Sequence, residues 1–211
     1  MYLLDRLKYI GQGRRIQVAP YAELQRINRR HTFHKQGGKR FITTENQAYG
    51  TYVAMTVTNL QSLAYDSSDP YGAWQSDRVD NIASLKACDF EVQILLSTAN
   101  TSPTGEQAAY VYVVPWMYDG STWTPMANFS TTTRPTGSEG TASISEPNSM
   151  KGPLALPYKI AQQPFDGFFT IGQMCNNIVP DGWSLAIRNG CGANFSTGCV
   201  VSYRPINYTN T

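Results

Sequence analysis

Histidine is scarce in this 211-residue chain, and both examples, His31 and His34, lie within the first 40 positions. A Ser-His-Asp triad or a Cys-His pair in the rest of the chain would lack its base, which argues against nucleophilic hydrolysis. The phosphate-binding signatures GxxxxGK(S/T) and GxGxxG are missing as well, so nucleotide binding has no sequence support. No apolar run approaches the roughly 20 residues that cross a bilayer, and we therefore expect no membrane partner.

The first residues do not have the pattern of a secretory signal. The apolar stretch at positions 2–4 is too short, and the charges of Asp5 and Arg6 end it. We therefore expect synthesis and assembly in a cytoplasm.

The four cysteines include no CxxC pair and have no histidine in sequence reach, so a zinc site has little support and we expect no cofactor. Cys191 and Cys199 flank a turn rich in Gly, Asn and Ser, where they could face each other across a hairpin. The sequence leaves open whether these two form a disulfide or are, as we expect for Cys88 and Cys175, buried thiols.

Two pairs of carboxylates are candidates for a catalytic site or a cation site. Asp89 and Glu91 share one face of a predicted strand, as the carboxylates of a glycosidase would. Because apolar residues occupy the other face, we expect both to lie on the solvated side of a half-buried strand. Asp77 and Asp80 could offer oxygen ligands to a cation, but no calcium-loop pattern surrounds them, and we expect them to cap loops. The sequence thus predicts no catalytic residue, no metal site and no enzyme.

The charge of the chain is distributed unevenly. Residues 1–40 hold ten of the 17 Lys and Arg residues against two acidic ones, a net charge of +8. The remaining 171 residues hold seven basic and 13 acidic groups, a net charge of −6. This asymmetry indicates a basic N-terminal arm, residues 1–50, attached to an acidic, aromatic-rich body, residues 51–211.

The arm is the part of the chain that we expect to bind a partner. Its cations are separated by apolar residues, whereas neutralising phosphates requires charge density. This pattern favours docking on an acidic protein surface over the two alternatives, folding back onto the body and binding nucleic acid. A helix is predicted over residues 21–30 alone. The predicted contact residues are Arg14, Arg15, Ile16, Val18, Leu24, Arg26, Ile27, Arg29, Arg30, Lys35, Lys39 and Arg40.

The body has the pattern of an all-β domain. Short runs of alternating, β-branched or aromatic residues are separated by Asp-Gly, Asn-Gly and Pro-containing turns. About eight such strands fit an antiparallel, jelly-roll-like β-sandwich. The predicted strands cover residues 51–57, 89–96, 109–114, 127–132, 154–160, 167–173, 183–188 and 199–204.

Two further predictions concern the interior and the surface of this body. The residues on the apolar phase of their strands should form the core, namely Phe90, Val92, Ile94, Val111, Val113, Leu185 and Ile187. Segment 133–150 is rich in Ser, Thr, Gly and Pro and should be a long exposed loop. It is either a plain surface excursion or a contact with a neighbouring subunit.

Several segments of the body carry a resemblance. Thr-Asn-Leu-Gln-Ser-Leu-Ala at positions 58–64 precedes Trp-Gln-Ser-Asp-Arg-Val-Asp-Asn at 74–81. Asp-Phe-Glu-Val at 89–92 and Pro-Asp-Gly-Trp-Ser-Leu-Ala-Ile at 180–187 come later in the chain. With these segments, residues 57–205 resemble small virion proteins of tailed bacteriophages and environmental viral genomes. The resemblance implies a jelly-roll-like sandwich of the kind used by head decoration, or cement, proteins, which often assemble as trimers.

The arm and the resemblance together predict a non-enzymatic virion protein that decorates and stabilises a phage capsid after assembly in the host cytoplasm. The expected partners are the major capsid protein, bound by the arm, and other copies in a homotrimer or another homo-oligomer. One alternative is a carbohydrate- or receptor-binding module of a tail or head fibre, which would stack exposed Trp or Tyr on sugar rings. The other is the single jelly-roll shell protein of a small icosahedral virus.

Overall fold

The computed structural model describes residues 31–36, 39–65, 72–82, 86–99, 108–129, 134–144, 150–157 and 165–210. Across these residues nearly all regular structure is β, and two curled antiparallel sheets form a β-sandwich. This confirms the fold class that the sequence predicts. The chain divides after Gln47 into two units, and the second, Ala48–Thr209, contains the core of the sandwich.

The described residues of the chain up to Tyr49 form a β-hairpin of two antiparallel strands, β1 (His31–Gln36) and β2 (Lys39–Tyr49), and the last two residues of β2 belong to the second unit. The Thr, Phe and Ile residues of these strands favour extended backbone. The intervening sequence is Gly-Gly, a pair typical of two-residue hairpin connections. The arm predicted over residues 1–50 thus contains two strands that the sequence analysis missed, and the helix predicted over residues 21–30 lies outside the described residues.

The strands of the second unit form two sheets. One has the strand order β3-β13-β6-β11, and the other has the order β10-β7-β12-β4-β9, with β5 beside β12 and β8 beside β7. Helical structure among the described residues is limited to a 3-10 turn at Leu60–Ser62 and a short helix, α1, at Ile171–Met174. In chain order the strands are β3 (Val53–Ala54), β4 (Gly72–Gln75), β5 (Val79–Asp80), β6 (Asp89–Leu96), β7 (Ala108–Tyr118), β8 (Trp123–Pro125), β9 (Gly140–Ser143), β10 (Lys151–Pro157), β11 (Phe165–Thr170), β12 (Gly182–Asn189) and β13 (Val200–Asn210).

The main core lies between the two sheets, where alternate residues of β6, β7 and β12 pack together. All seven residues predicted for the core are fully buried. Aromatic rings join this core: the Trp183 ring lies 5.4 Å from the Phe90 ring and 5.4 Å from the Tyr203 ring, between ring centroids. Burying an apolar side chain of this size contributes about 1.5–3 kcal/mol.

A second apolar cluster lies on the other side of the sheet that contains β7. The residues of β7 that alternate with its core residues, among them Val114 and Trp116, pack there against Phe129, Ile144 and Met150. The prediction of a long exposed loop over residues 133–150 holds for residues 134–139, which form no regular structure, and is wrong for the described residues that follow them. This part contains β9, which pairs with β4, and its apolar residues cover the sheet.

The predicted strands differ from the observed ones mainly at their ends. Strand β6 spans the predicted residues 89–96. Of the strand predicted over residues 51–57 only Val53–Ala54 pairs, and the described residues 127–129 contribute to the second cluster without forming a strand. The strand predicted over residues 167–173 ends at Thr170, because the Thr170 hydroxyl accepts a hydrogen bond from the backbone N–H of Gln173 and so caps α1.

Candidate functional site

The predicted contact residues of the arm fall into two groups. Lys35, Lys39 and Arg40 lie where β1 passes into β2, with Lys35 opposite Arg40 in the register. The hairpin therefore brings three cationic positions to one of its ends. The remaining predicted residues lie outside the described residues, and they are Arg14, Arg15, Ile16, Val18, Leu24, Arg26, Ile27, Arg29 and Arg30.

The prediction that Asp89 and Glu91 are both solvated is wrong for Glu91, which is only 4% exposed. Arg204 Nε donates a hydrogen bond to Glu91 Oε1 at 2.6 Å, and the Tyr52 hydroxyl donates to the same oxygen. Burial of the carboxylate is tolerated because it is paired. Asp89 Oδ1 instead accepts from the backbone N–H of Gly172 at 2.7 Å, in the first turn of α1. The two carboxylates thus have separate structural partners.

Asp77 and Asp80 bind backbone N–H groups, as predicted. Asp77 Oδ1 accepts from Glu139 N and Asp80 Oδ1 from Ile82 N, each at 2.8 Å. Nowhere in the described ranges do three His, Cys, Asp or Glu side chains come together as a potential metal site. A search of the same ranges for a helix long and apolar enough to span a membrane also finds none.

The candidate site is the outer side of the β3-β13-β6-β11 sheet, which we call the exposed sheet face. Side chains alternate along each strand, so the cross-strand register arranges this face in rows. The opposite phase of the same strands carries core residues such as Val92, Ile94 and Val201. The three rows are Asp166, Leu95 and Val200, then Phe168, Gln93 and Ser202, and finally Thr170, Glu91 and Arg204.

The first two rows expose three apolar side chains beside polar ones. Phe168 is 62% exposed, and its neighbours Leu95 and Val200 are also exposed. Together with Gln93 and Ser202 they line a shallow groove of about 460 Å³. Contiguous apolar side chains on an otherwise polar surface mark a site of interaction more often than a chance exposure.

The third row is tied together by side-chain contacts beside this groove. The Arg204 guanidinium lies over the rings of Tyr49 and Tyr52, 4.3 and 4.7 Å from their centroids. The hydrogen bond to Glu91 raises the pKa of Arg204, since it favours the charged guanidinium. The hydrogen bond that Tyr52 donates to Glu91 raises the pKa of that phenol, because only the protonated hydroxyl can donate. Two partly exposed tyrosine rings thus lie beside this row, Tyr52 bonded to the buried Glu91 carboxylate and both in contact with the Arg204 guanidinium.

A second apolar surface lies where β7 ends, and we call it the end pocket. It is a depression of about 340 Å³ formed by the end of β7 and the connection of α1 to β12. Met117, Met126 and Ile178 line it with much of their surface exposed, and Ile178 is 73% exposed. The exposed Lys151 completes this lining. Sequence patterns do not predict this pocket, since its residues are separated by up to 66 positions.

The tryptophans do not form an exposed platform. Trp74, Trp116 and Trp183 are buried. Trp123 is half-buried, and the Arg78 guanidinium lies 4.2 Å from its ring centroid. Three of the four tryptophans are therefore unable to stack on a sugar ring from solvent.

All four cysteines are free thiols, so no disulfide joins Cys191 to Cys199. The Cys191 thiol donates a hydrogen bond to Asn189 Oδ1 at 2.8 Å, and burial raises the pKa of both Cys191 and Cys199. Burial raises the pKa of Cys175 to about 11. The prediction of buried thiols is wrong only for Cys88, which is exposed.

Comparison with known proteins finds a distant structural likeness. No protein family profile and no curated protein matches the chain. Among solved structures it is similar to a carbohydrate-binding module specific for non-crystalline cellulose, CBM28. The identity is 6% and the TM-score 0.31, over 84% of this chain and 79% of that chain. A likeness at this level carries no argument about function.

Proposed function

We propose that this chain is a non-enzymatic structural protein of a phage particle that decorates and stabilises the capsid. The observation that carries the proposal is the exposed sheet face, on which Phe168, Leu95 and Val200 lie side by side without cover from the rest of the described body. An apolar sheet face of this kind suits packing against another protein chain. The resemblance of residues 57–205 to small phage virion proteins supports the same proposal.

In this proposal the basic arm attaches the protein to the major capsid protein. The net charge of +8 over residues 1–40 steers the arm towards an acidic surface. The β1–β2 hairpin supports specific docking, because it places Lys35, Lys39 and Arg40 at defined positions rather than along a featureless tail. Charge accelerates the encounter, and the apolar residues between the cations add contacts that salt does not screen.

The experiment is co-sedimentation with DNA-free capsids of the phage that encodes the chain, prepared without this protein. The test variant carries Lys35→Glu with Arg40→Glu in the full-length chain. The matched control carries Lys86→Glu with Arg134→Glu, which makes the same change of charge at two exposed positions of the body. We expect the control to bind like the wild type and the test variant to bind about tenfold or more weakly, as expected for the loss of cations that steer and contact an acidic surface.

Each other outcome contradicts a stated part of the proposal. A wild-type protein that does not bind capsids removes the decoration function. Equal binding of wild type and test variant would show that the hairpin cations do not contribute to attachment. Binding that appears only after nucleic acid is added, and that falls steeply with salt, favours the shell-protein alternative.

A further inference from the structure

The second unit carries two exposed apolar surfaces of different shape. The exposed sheet face projects Phe168 beside Leu95 and Val200. The end pocket is a depression with Met126 and Ile178 among its lining residues. The first is built on β6, β11 and β13, and the second on β7 and the α1–β12 connection, so the two surfaces belong to different parts of the sandwich.

We propose that these two surfaces bind each other between copies of this chain, with Phe168 of one copy seated in the end pocket of the next. The inference rests on the proposed structural function and names the contact by which copies assemble. A contact between unlike surfaces leaves one surface unused at each end of a pair. A two-fold dimer could satisfy both surfaces reciprocally, but in the expected trimer each copy uses one surface towards each neighbour, and the contact repeats until the ring closes.

The sizes of the two surfaces match. An apolar cavity of about 150 Å³ holds a benzene ring. The end pocket, at about 340 Å³, therefore accepts the Phe168 ring with space for a neighbouring side chain. Met117 and Met126 line the pocket, and their flexible thioether side chains adapt to an inserted aromatic ring.

Charge favours contact between unlike surfaces over contact between two sheet faces. The exposed carboxylate of Asp166 lies two residues from Phe168, in the lining of the groove. The exposed ammonium of Lys151 lies in the lining of the end pocket. The exposed Asp181 lies in the same lining, where its Oδ2 accepts a hydrogen bond from the backbone N–H of Tyr118 at 3.0 Å. Packing sheet face on sheet face would bring two Asp166 carboxylates together with no cation in the lining of the groove, whereas the end pocket offers Asp166 the ammonium of Lys151.

The test uses two full-length variants, Phe168→Glu and Ile178→Glu, each of which places a charge on one of the two surfaces. Val53→Glu is the control, since Val53 is exposed and apolar but lines neither surface. Sedimentation velocity at micromolar concentrations should show a ring for the wild type and the control. Each of the other variants should dissociate to monomers, with a dissociation constant raised about 30-fold or more, the effect of losing an interface hot spot.

Mixing the two monomeric variants tests whether the sheet face of one copy binds the end pocket of another. Phe168→Glu retains an intact end pocket and Ile178→Glu retains an intact sheet face, so the mixture should form a one-to-one heterodimer and nothing larger. This heterodimer would also show that both variants are folded. A mixture that remains monomeric, although circular dichroism shows both variants to be folded, overturns the proposal.

Two further outcomes overturn the proposal as well, a monomeric wild type and oligomers that persist in the Phe168→Glu variant. Binding of soluble oligosaccharides to a monomeric wild type through Phe168 would in addition favour the carbohydrate-binding alternative. Capsid co-sedimentation separates this inference from the proposed function. A monomeric wild type that still binds empty capsids removes the contact alone, whereas a ring that fails to bind them removes the decoration function alone.

Discussion

Replacement of Glu91 by alanine tests whether the third row of the exposed sheet face anchors the sheet. The substitution removes one acceptor that serves both Arg204 Nε and the Tyr52 hydroxyl. Breaking a fully buried ion pair costs about 3–5 kcal/mol, and a hydrogen bond to a charged group contributes about 1.5–3 kcal/mol. Because the Arg204 side chain is 28% exposed, water can hydrate it after the loss of its partner. We therefore expect the free energy of unfolding to fall by about 2–3 kcal/mol.

Urea denaturation followed by tryptophan fluorescence measures this change through the transition midpoint and its slope. Glu91→Gln keeps a neutral acceptor and should lose about half as much. Gln93→Ala is the matched control, since Gln93 is exposed two residues along the same strand, and it should change stability by no more than about 0.5 kcal/mol. A loss below about 0.5 kcal/mol for Glu91→Ala would refute the reasoning, because that is the behaviour of a solvent-exposed ion pair.

Two further predictions concern the half-buried Glu139 and the cysteine thiols. Glu139 Oε1 accepts hydrogen bonds from Trp74 Nε1 at 2.8 Å and from Asn59 N at 2.7 Å. Glu139→Ala should therefore lower the free energy of unfolding by about 2–3 kcal/mol in the same urea denaturation assay. An unchanged transition midpoint would contradict this expectation. Iodoacetamide should label Cys88 quickly and Cys175 slowly in the native protein, as counted by mass spectrometry. Burial raises the pKa of Cys175 to about 11, so the folded protein favours the neutral thiol. The resulting contribution to the free energy of unfolding is complete below the ordinary thiol pKa and is lost as pH rises through about 11. Equal labelling rates at mildly alkaline pH would contradict the burial.

The main core could be predicted because it depends on local alternation. Along β6 the period-two pattern separates Phe90, Val92 and Ile94 from their polar neighbours, and the strand has the predicted bounds. The pattern does not show which polar residue will find a buried partner. Glu91 and Arg204 are 113 residues apart and meet only because β6 pairs with β13.

Segment 133–150 shows a second reason for error. Its composition is that of a loop, yet backbone hydrogen bonds between β9 and β4 need no particular side chains. Two of its apolar residues, Ile144 and Met150, join Phe129 in covering the sheet. The start of α1 was missed for another reason: Thr170 and Gln173 have the spacing of a capping box, but the predicted strand continues to residue 173.

The exposed sheet face could not be found from the sequence because its residues look like core residues. Phe168 follows Gly167 in an apolar run, and only the register shows that it points away from Phe169 and the main core. The apolar residues on both phases of β11 also bear on how the strand is covered. Alternation with apolar residues on both phases favours a strand that is covered on both sides, and the second cover of β11 is missing from the described body.

A contact between copies and a contact with the capsid would reinforce each other. Neither the proposed contact of one arm with the capsid nor the seating of a single Phe168 in a pocket needs to be strong alone. In a closed ring the arms are tethered, and once one is bound the others meet the capsid at a high effective concentration. Avidity of this kind can exceed the affinity of one arm by about 10²–10⁴ without a new contact. An apolar face that would be a liability on a monomer is then the feature that makes a weakly binding arm sufficient.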